Sequence, residues 1–212
     1  MKIKRLIDIV LSLSGLILLS PLFLLLIVLI KLDSKGPVLF KQKRVGLRKS
    51  HFYILKFRTM RIDTPKDTPT HLLENPDQWI TKMGKFLRKT SLDELPQIIN
   101  ILKGEMSIIG PRPALWNQYD LIEERDKYGA NDVPPGLTGW AQINGRDELA
   151  TEVKARLDGE YVEKIGLSMD IKCFFGTIVS VLKHDGVVEG GTGVTARKEV
   201  ASAKETKVPT KG

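Results

Sequence analysis

The stretch TSLDELPQ, residues 90–97, sets two carboxylates side by side, Asp93 and Glu94. A carboxylate can attack phosphorus and form an acyl-phosphate. A second one beside it can hold Mg²⁺, which neutralises a diphosphate and its leaving group. Arg88, Lys89 and Arg112 are close in sequence and could clamp phosphate oxygens, arginine more specifically through its planar fork. Arg112 stands between two prolines, in a loop rigid enough to aim it. Local structure accounts for the same residues in another way. Ser91-Leu-Asp-Glu94 fits a capping box, in which Ser91 caps a helix over 92–103 and Glu94 bonds back. Acidic residues in a first turn also suit the helix dipole. The two readings are compatible, because such a cap would orient the helix whose first turn carries the chemistry.

The elements around this pair follow from pattern. PVLFKQ (37–42) and FYILKF (52–57) are short, β-prone and joined by a basic, Gly-containing connection, which predicts a hairpin. Residues 61–80 are polar, with Pro65, Pro69 and Pro76, and read as an excursion. Helices are predicted over 92–103, 114–128 and 147–164, the last breakable at Gly159. Two Pro/Gly-rich loops, IIGPRP (108–113) and VPPGLTGWAQINGR (133–146), separate them. Over 169–182, Ile171, Phe174, Phe175, Ile178 and Leu182 recur at helical spacing. They favour a core-facing helix over one lying at a membrane interface. The chain after Gly190-Gly191 is poor in apolar residues and reads as disordered. The GGTG at 190–193 lacks the Lys-Ser/Thr of a P-loop. One cysteine, Cys173, excludes an internal disulfide, and three separated histidines make a histidine zinc site untenable.

The net charge of +8 is unevenly spread. Residues 1–50 carry ten Lys/Arg against Asp8 and Asp33, and the remainder balances to zero. This basic excess flanks 22 uncharged residues, IVLSLSGLILLSPLFLLLIVLI, from Ile9 to Ile30. A straight helix of that length would span about 33 Å, enough for a bilayer core. Ser20-Pro21 interrupts it, and both ends carry the lysines and arginines that mark a cytoplasmic side. The residues alone leave two readings, a helix that dips in and returns and a kinked single crossing. Anionic lipid is the partner that such a collar meets. Nucleic acid is not, since no aromatic-basic interleaving or binding motif accompanies the charge.

Taken together, KFRTM (56–60), RKTSLDELPQIINILKGEMSIIGPRP (88–113) and PGLTGWAQINGR (135–146), behind a basic, apolar N-terminus with Ser-Pro, resemble the bacterial sugar transferases. These are the monotopic phosphoglycosyl transferases that begin surface-polysaccharide and glycoprotein glycan synthesis on undecaprenyl phosphate. The resemblance runs from residue 1 to about 190 and is that of a small, catalytic-domain-only form. It implies an α+β, mainly α fold. A re-entrant membrane helix broken at Ser20-Pro21 occupies 1–35, and a catalytic domain occupies 36–190. That domain has a small hairpin and interfacial helices around a cytosolic-face site, and a tail follows over 191–212. It implies that Asp93 attacks the β-phosphate of a UDP-sugar and releases UMP. Undecaprenyl phosphate then takes the phosphosugar from Asp93 at the bacterial plasma membrane. Glu94 becomes a catalytic residue and Mg²⁺ ligand. Lys56, Arg58, Arg88, Arg112, Arg146 and Asp158 become substrate-binding residues. Trp140 fits a core anchor and a nucleobase contact equally. The segment from Gly145 onward is similar to capsule-type members that use N-acetylated or 6-deoxy amino sugars, while galactose, glucose and GlcNAc fit the same motifs. A homodimer is compatible with these features and not required by them. A non-enzymatic, lipid-binding membrane adaptor is the alternative; it accounts for the N-terminus and leaves the three later motifs without a reason.

Overall fold

The computed structural model describes residues 2–64, 76–145 and 149–183. The expected tail, Arg146 and most of the polar excursion lie outside them. Helices dominate, with one antiparallel hairpin and one short parallel pair of strands.

The N-terminal segment forms two helices, α1 (Lys2–Leu18) and α2 (Ser20–Asp33), bent by 62° at the predicted break. The cause is Pro21, which has no N–H for the carbonyl of Ile17. The Ser20 hydroxyl donates to that carbonyl instead, at 2.8 Å, so the bend leaves no orphaned acceptor there. Among the described residues no single helix is long and apolar enough to cross a membrane, whereas the bent pair together passes on length and composition. Helix α1 is amphipathic in an inverted sense. Its buried residues are Asp8 and Ser12, while Ile3, Leu6, Val10, Leu13 and Ile17 are exposed. Helix α2 instead gives Leu26 and Ile30 to a core that also holds Phe57 and Leu87.

The predicted hairpin is present as β1 (Leu39–Val45) and β2 (His51–Phe57), paired from Leu39 with Phe57 to Val45 with His51. Its connection turns through Arg48 and Lys49, both in the left-handed region. The polar excursion closes on itself: Met60 bridges to Ile80, and the Arg61 amide donates to the Trp79 carbonyl. Helix α3 (Lys82–Lys89) follows, capped by the Thr81 side chain on the Gly84 amide. Gly84 allows a close approach, since a Cβ there would lie 1.9 Å from the Thr59 carbonyl oxygen.

The single helix expected over 92–103 is divided. Leu92–Glu94 form one 3-10 turn, and α4 runs from Gln97 to Lys103. Pro96 lacks the N–H that would continue an α ladder to Leu92, whose carbonyl accepts from Leu95 instead. The expected capping box is also absent. Ser91 adopts φ 56° and its side chain caps nothing. Leu92 and Leu95 pack on the core of Leu26, Ile30, Phe57 and Leu87.

The two Pro/Gly-rich loops are not free loops. They contain β3 (Ser107–Ile109) and β4 (Gly136–Thr138), paired in parallel. Between them lies α5 (Tyr119–Asp126), shorter than the predicted 114–128. After β4 come α6 (Trp140–Ile143), α7 (Thr151–Glu163) and α8 (Leu167–Lys183). Gly159 does not break α7. It lets that helix press on Tyr128, whose Cβ would lie 2.6 Å from an added methyl. Helix α8 corrects the core-facing expectation. Ile171, Phe174, Phe175 and Ile178 point outward, and Met169 and Cys173 are the buried side.

Candidate active site

Four chain segments meet at the carboxylate pair. Strand β2 brings Lys56, α3 brings Arg88, the turn at 92–94 brings Asp93 and Glu94, and the loop after β3 brings Arg112. Strand β2 is held to α4 by Asn100, which is fully buried. Its side-chain oxygen accepts from the Leu55 amide at 3.0 Å, and its nitrogen donates to the Tyr53 carbonyl at 2.9 Å and to Glu105 at 2.7 Å. One amide side chain thus stands in for a neighbouring strand and sets Lys56 opposite the turn. Arg88 donates to the Thr59 hydroxyl at 3.0 Å, across the contact that Gly84 allows.

Arg112 depends on interlocked backbones. The Gly110 amide donates to Thr138, and the Gly136 amide donates to Pro111, both at 2.8 Å. A Cβ on Gly136 would lie 2.1 Å from the Gly110 nitrogen, and one on Gly139 would lie 2.0 Å from the Gly110 oxygen. Only glycine fits where two chains cross this closely. On the far side, Arg44 donates to the Pro113 carbonyl and the Val45 amide to Ala114, each at 3.0 Å. The loop is therefore slung between two strands, and Arg112 is aimed by its backbone.

The resulting contacts are tight. Lys56 Nζ is 2.7 Å from Glu94 Oε1 and 3.9 Å from Asp93 Oδ2. Arg112 Nη2 is 2.9 Å from the same Glu94 oxygen. The Asp93 and Glu94 side chains are 13% and 19% exposed, so the pair is shielded yet open to a ligand. Burial pushes the Asp93 carboxyl above its usual range, with the neighbouring Glu94 adding to it, although Lys56, Arg88 and Arg112 pull the other way. Burial acts on Glu94 too, but Arg112 and Lys56 outweigh it and hold that carboxyl well below the usual range. Two carboxylates thus share three cations, a local surplus of positive charge that suits a phosphate group.

Among the described residues no three metal-ligating side chains cluster. One or two carboxylates remain, a donor set that fits Mg²⁺ only in company with phosphate oxygens and water, which is how that ion is usually held.

The other residues singled out from sequence fall elsewhere. Arg58 is buried and donates to the Pro37 carbonyl and to the hydroxyl and carbonyl of Ser34, at 2.6 to 2.8 Å. It ties the chain leaving α2 to the end of β2. Asp158 has a side chain only 1% exposed and accepts from Arg125 at 2.6 and 2.8 Å, tying α7 to α5. Trp140 donates to Glu160 at 3.0 Å and carries the Lys172 ammonium 4.5 Å above its ring. Arg146 is outside the described residues. Sequence reasoning gave no role to Asn100, a polar residue within the apolar pattern of its helix, to Thr59, although it lies in KFRTM, or to Asp8, which entered only as a charge.

A family model described as bacterial sugar transferase matches residues 1–184. Among curated relatives, the uncharacterized sugar transferase EpsL of Bacillus subtilis (strain 168) is 40% identical over 188 residues, 88% of this chain and 91% of that protein. The UDP-glucose:undecaprenyl-phosphate glucose-1-phosphate transferase of Escherichia coli (strain K12) is 43% identical over 184 residues, 83% of this chain and 39% of that protein. The UDP-N-acetylgalactosamine-undecaprenyl-phosphate N-acetylgalactosaminephosphotransferase of Aeromonas hydrophila is 38% identical over 189 residues, 87% of this chain and 44% of that protein. The chain thus spans nearly all of one relative and less than half of the two larger ones.

Proposed function

Because the chain belongs to the bacterial sugar transferase family, we propose that it moves a sugar-1-phosphate from a UDP-sugar to undecaprenyl phosphate. The phosphosugar is held covalently on Asp93 between the two steps. The observation that carries this reading is the convergence of Lys56, Arg88 and Arg112 on the shielded Asp93-Glu94 pair.

In the first step an Asp93 oxygen attacks the β-phosphorus. The bond from that phosphorus to the bridging oxygen breaks, and UMP leaves with the oxygen. In the second, a phosphate oxygen of the lipid attacks the same phosphorus, the acyl-phosphate bond breaks, and undecaprenyl-diphosphate-sugar departs with Asp93 restored as carboxylate. Such displacements need positioning and charge neutralisation more than proton transfer. Arg112 and Lys56 supply the positive charge from fixed positions. Glu94 keeps both cations in place and would hold Mg²⁺, which, when bound, neutralises the diphosphate.

The membrane geometry follows from the same reading. The inverted face of α1, with polar residues inward and leucines outward, suits lipid around it. The exposed aromatic and aliphatic side of α8 suits the interface. A helix pair that dips in and returns would leave both basic ends in the cytoplasm and set the site at headgroup level. UDP-sugar reaches it there from water and undecaprenyl phosphate from the bilayer.

The test is UMP release from a panel of UDP-sugars by membrane-extracted protein with Mg²⁺, with and without undecaprenyl phosphate. Lipid-dependent release with one donor, lost in Asp93→Asn, is expected and names the sugar. Reporters at residues 2 and 35 should both label from the cytoplasm; a periplasmic label on either restores a single crossing.

A further inference from the structure

Asp8 lies on the apolar N-terminal helix, yet it is 4% exposed and turned into the protein. Its two oxygens are both engaged with β3. Oδ2 accepts from the Ser107 hydroxyl at 2.8 Å, and Oδ1 accepts from the Ile108 amide at 3.0 Å. One turn back, Lys4 pairs with Asp170 of α8 at 2.7 Å. Asp170 accepts from the Tyr161 hydroxyl at 2.8 Å, which also lies 3.2 Å from the Ile109 carbonyl. Ser107 and Ile108 of β3 are therefore held directly by α1, and Ile109 by Tyr161 of α7, which is itself tied to Asp170 of α8. The chain then enters Gly110-Pro111-Arg112 with one residue between the grip and the first proline. Beside Asp8, Arg5 donates to the Ile101 and Leu102 carbonyls at the end of α4, the helix that follows Glu94. So α1 holds both segments that meet in the Arg112–Glu94 ion pair.

We infer that Asp8 is a positioning residue for Arg112. It fixes β3 against the N-terminal helix pair and thereby sets where the guanidinium stands relative to Glu94 and an incoming phosphate. Burying an acid on a helix bound for lipid is unfavourable unless its bonds are met, and here they are spent on the one strand that leads to a substrate-binding arginine. The inference rests on the transferase reading of the Asp93 site, and its consequence is that seating of the helix pair is sensed at the phosphate site through β3.

The experiment compares Asp8→Leu and Asp8→Asn in lipid nanodiscs, each alone and in an Arg112→Lys background, following UMP release, membrane retention and thermal unfolding. Leucine removes both acceptors at similar volume and suits lipid. Asparagine keeps an acceptor for Ile108 and can donate to Ser107, whose hydroxyl works in either sense. Asp8→Leu is expected to stay membrane-bound and to lose about tenfold to a hundredfold in kcat, the cost of a misplaced binding group. Asp8→Asn is expected to recover most of it. In the Arg112→Lys background the same leucine change is expected to cost much less, because the two residues act through one contact. Ser107→Ala breaks one of the two links without touching a charge and carries the same comparison if Asp8→Leu does not fold. Equal fold-losses in both backgrounds, or full activity of Asp8→Leu, overturn the inference. A wild-type protein that releases no UMP from any donor overturns the transferase reading with it, an outcome distinct from an active wild type beside an equally active variant.

Discussion

Two buried arrangements of acid and guanidinium lie in this molecule, and they do opposite things. Between α5 and α7, Arg125 and Asp158 form a closed pair, 4% and 1% exposed, with both bonds on one carboxylate oxygen. At the junction of β2, α3 and the loop after β3, Asp93 and Glu94 face three cations, and the side chain of Arg112 is 33% exposed. The first is a closed acid–guanidinium pair, with Lys154 adding a further attraction on Asp158, and both paired side chains are buried away from a ligand. The second is over-supplied with positive charge and partly open, so a phosphate can enter and compete for the cations. Residue type does not separate the two cases; access does.

The comparison breaks most sharply at Asp93. Asp93→Asn should abolish UMP release, a loss of roughly a thousandfold or more as expected when a covalent nucleophile is removed, while the unfolding midpoint stays within a few degrees. Turnover at the wild-type rate would end the covalent proposal. Arg125→Ala should do the reverse. It leaves a buried carboxylate without its partner and should cost about 3–5 kcal/mol of stability, seen as a lowered denaturant midpoint. The fraction that remains folded should release UMP at the normal rate. Activity lost at unchanged stability would move Asp158 into the site after all.

Arg112→Lys sharpens the contrast by keeping the charge and removing the fork. The loss should be about tenfold to a hundredfold in kcat/KM, since a bidentate phosphate contact becomes a single one. Stability should barely change, because Lys56 still neutralises Glu94 at 2.7 Å. Glu94→Gln should lower activity together with its Mg²⁺ dependence, read from a Mg²⁺ titration; an unaltered titration would remove Glu94 as the metal ligand.

What was legible beforehand follows the same line. The hairpin, the Ser20-Pro21 bend and the nearness of Arg88 and Arg112 to the acids were readable, because strand alternation, proline chemistry and short sequence distances carry them, whereas Lys56 entered only through the motif resemblance. The division of the helix at Pro96 and the left-handed Ser91 were not. Both S-x-x-E spacing and a helical pattern are satisfied on paper, whereas the packing of Leu92 and Leu95 decides the backbone. Arg58 and Asp158 were assigned to substrate because their motifs were, and only the fold reveals that Ser34 and Arg125 already hold them. The outward face of α8 was misjudged for a related reason. An apolar stripe reports that something apolar covers it, and periodicity does not distinguish a protein core from lipid. Asp8 was visible only as a charge to be counted.

The smallest effect concerns protons, and it tests how the pair divides its cations. Asp93 must be ionised to attack, and its carboxyl sits above the usual range, chiefly through burial and partly through Glu94. The first step should therefore have an acidic limb above that of an ordinary aspartate. Lys56 pulls the Asp93 value down from 3.9 Å away. Lys56→Met removes that pull, so the limb should move to higher pH. Glu94→Gln removes a repelling charge and frees Lys56 and Arg112 to face Asp93, so the limb should move to lower pH. Two substitutions in one cluster thus shift a single titration in opposite directions, measurable as the pH profile of UMP release at donor well below saturation, which follows the free enzyme's groups. Arg125→Ala, whose carboxylate partner lies in the closed pair, should leave the limb where it is. Shifts of the same sign from Lys56→Met and Glu94→Gln would mean that the limb reports some group other than Asp93.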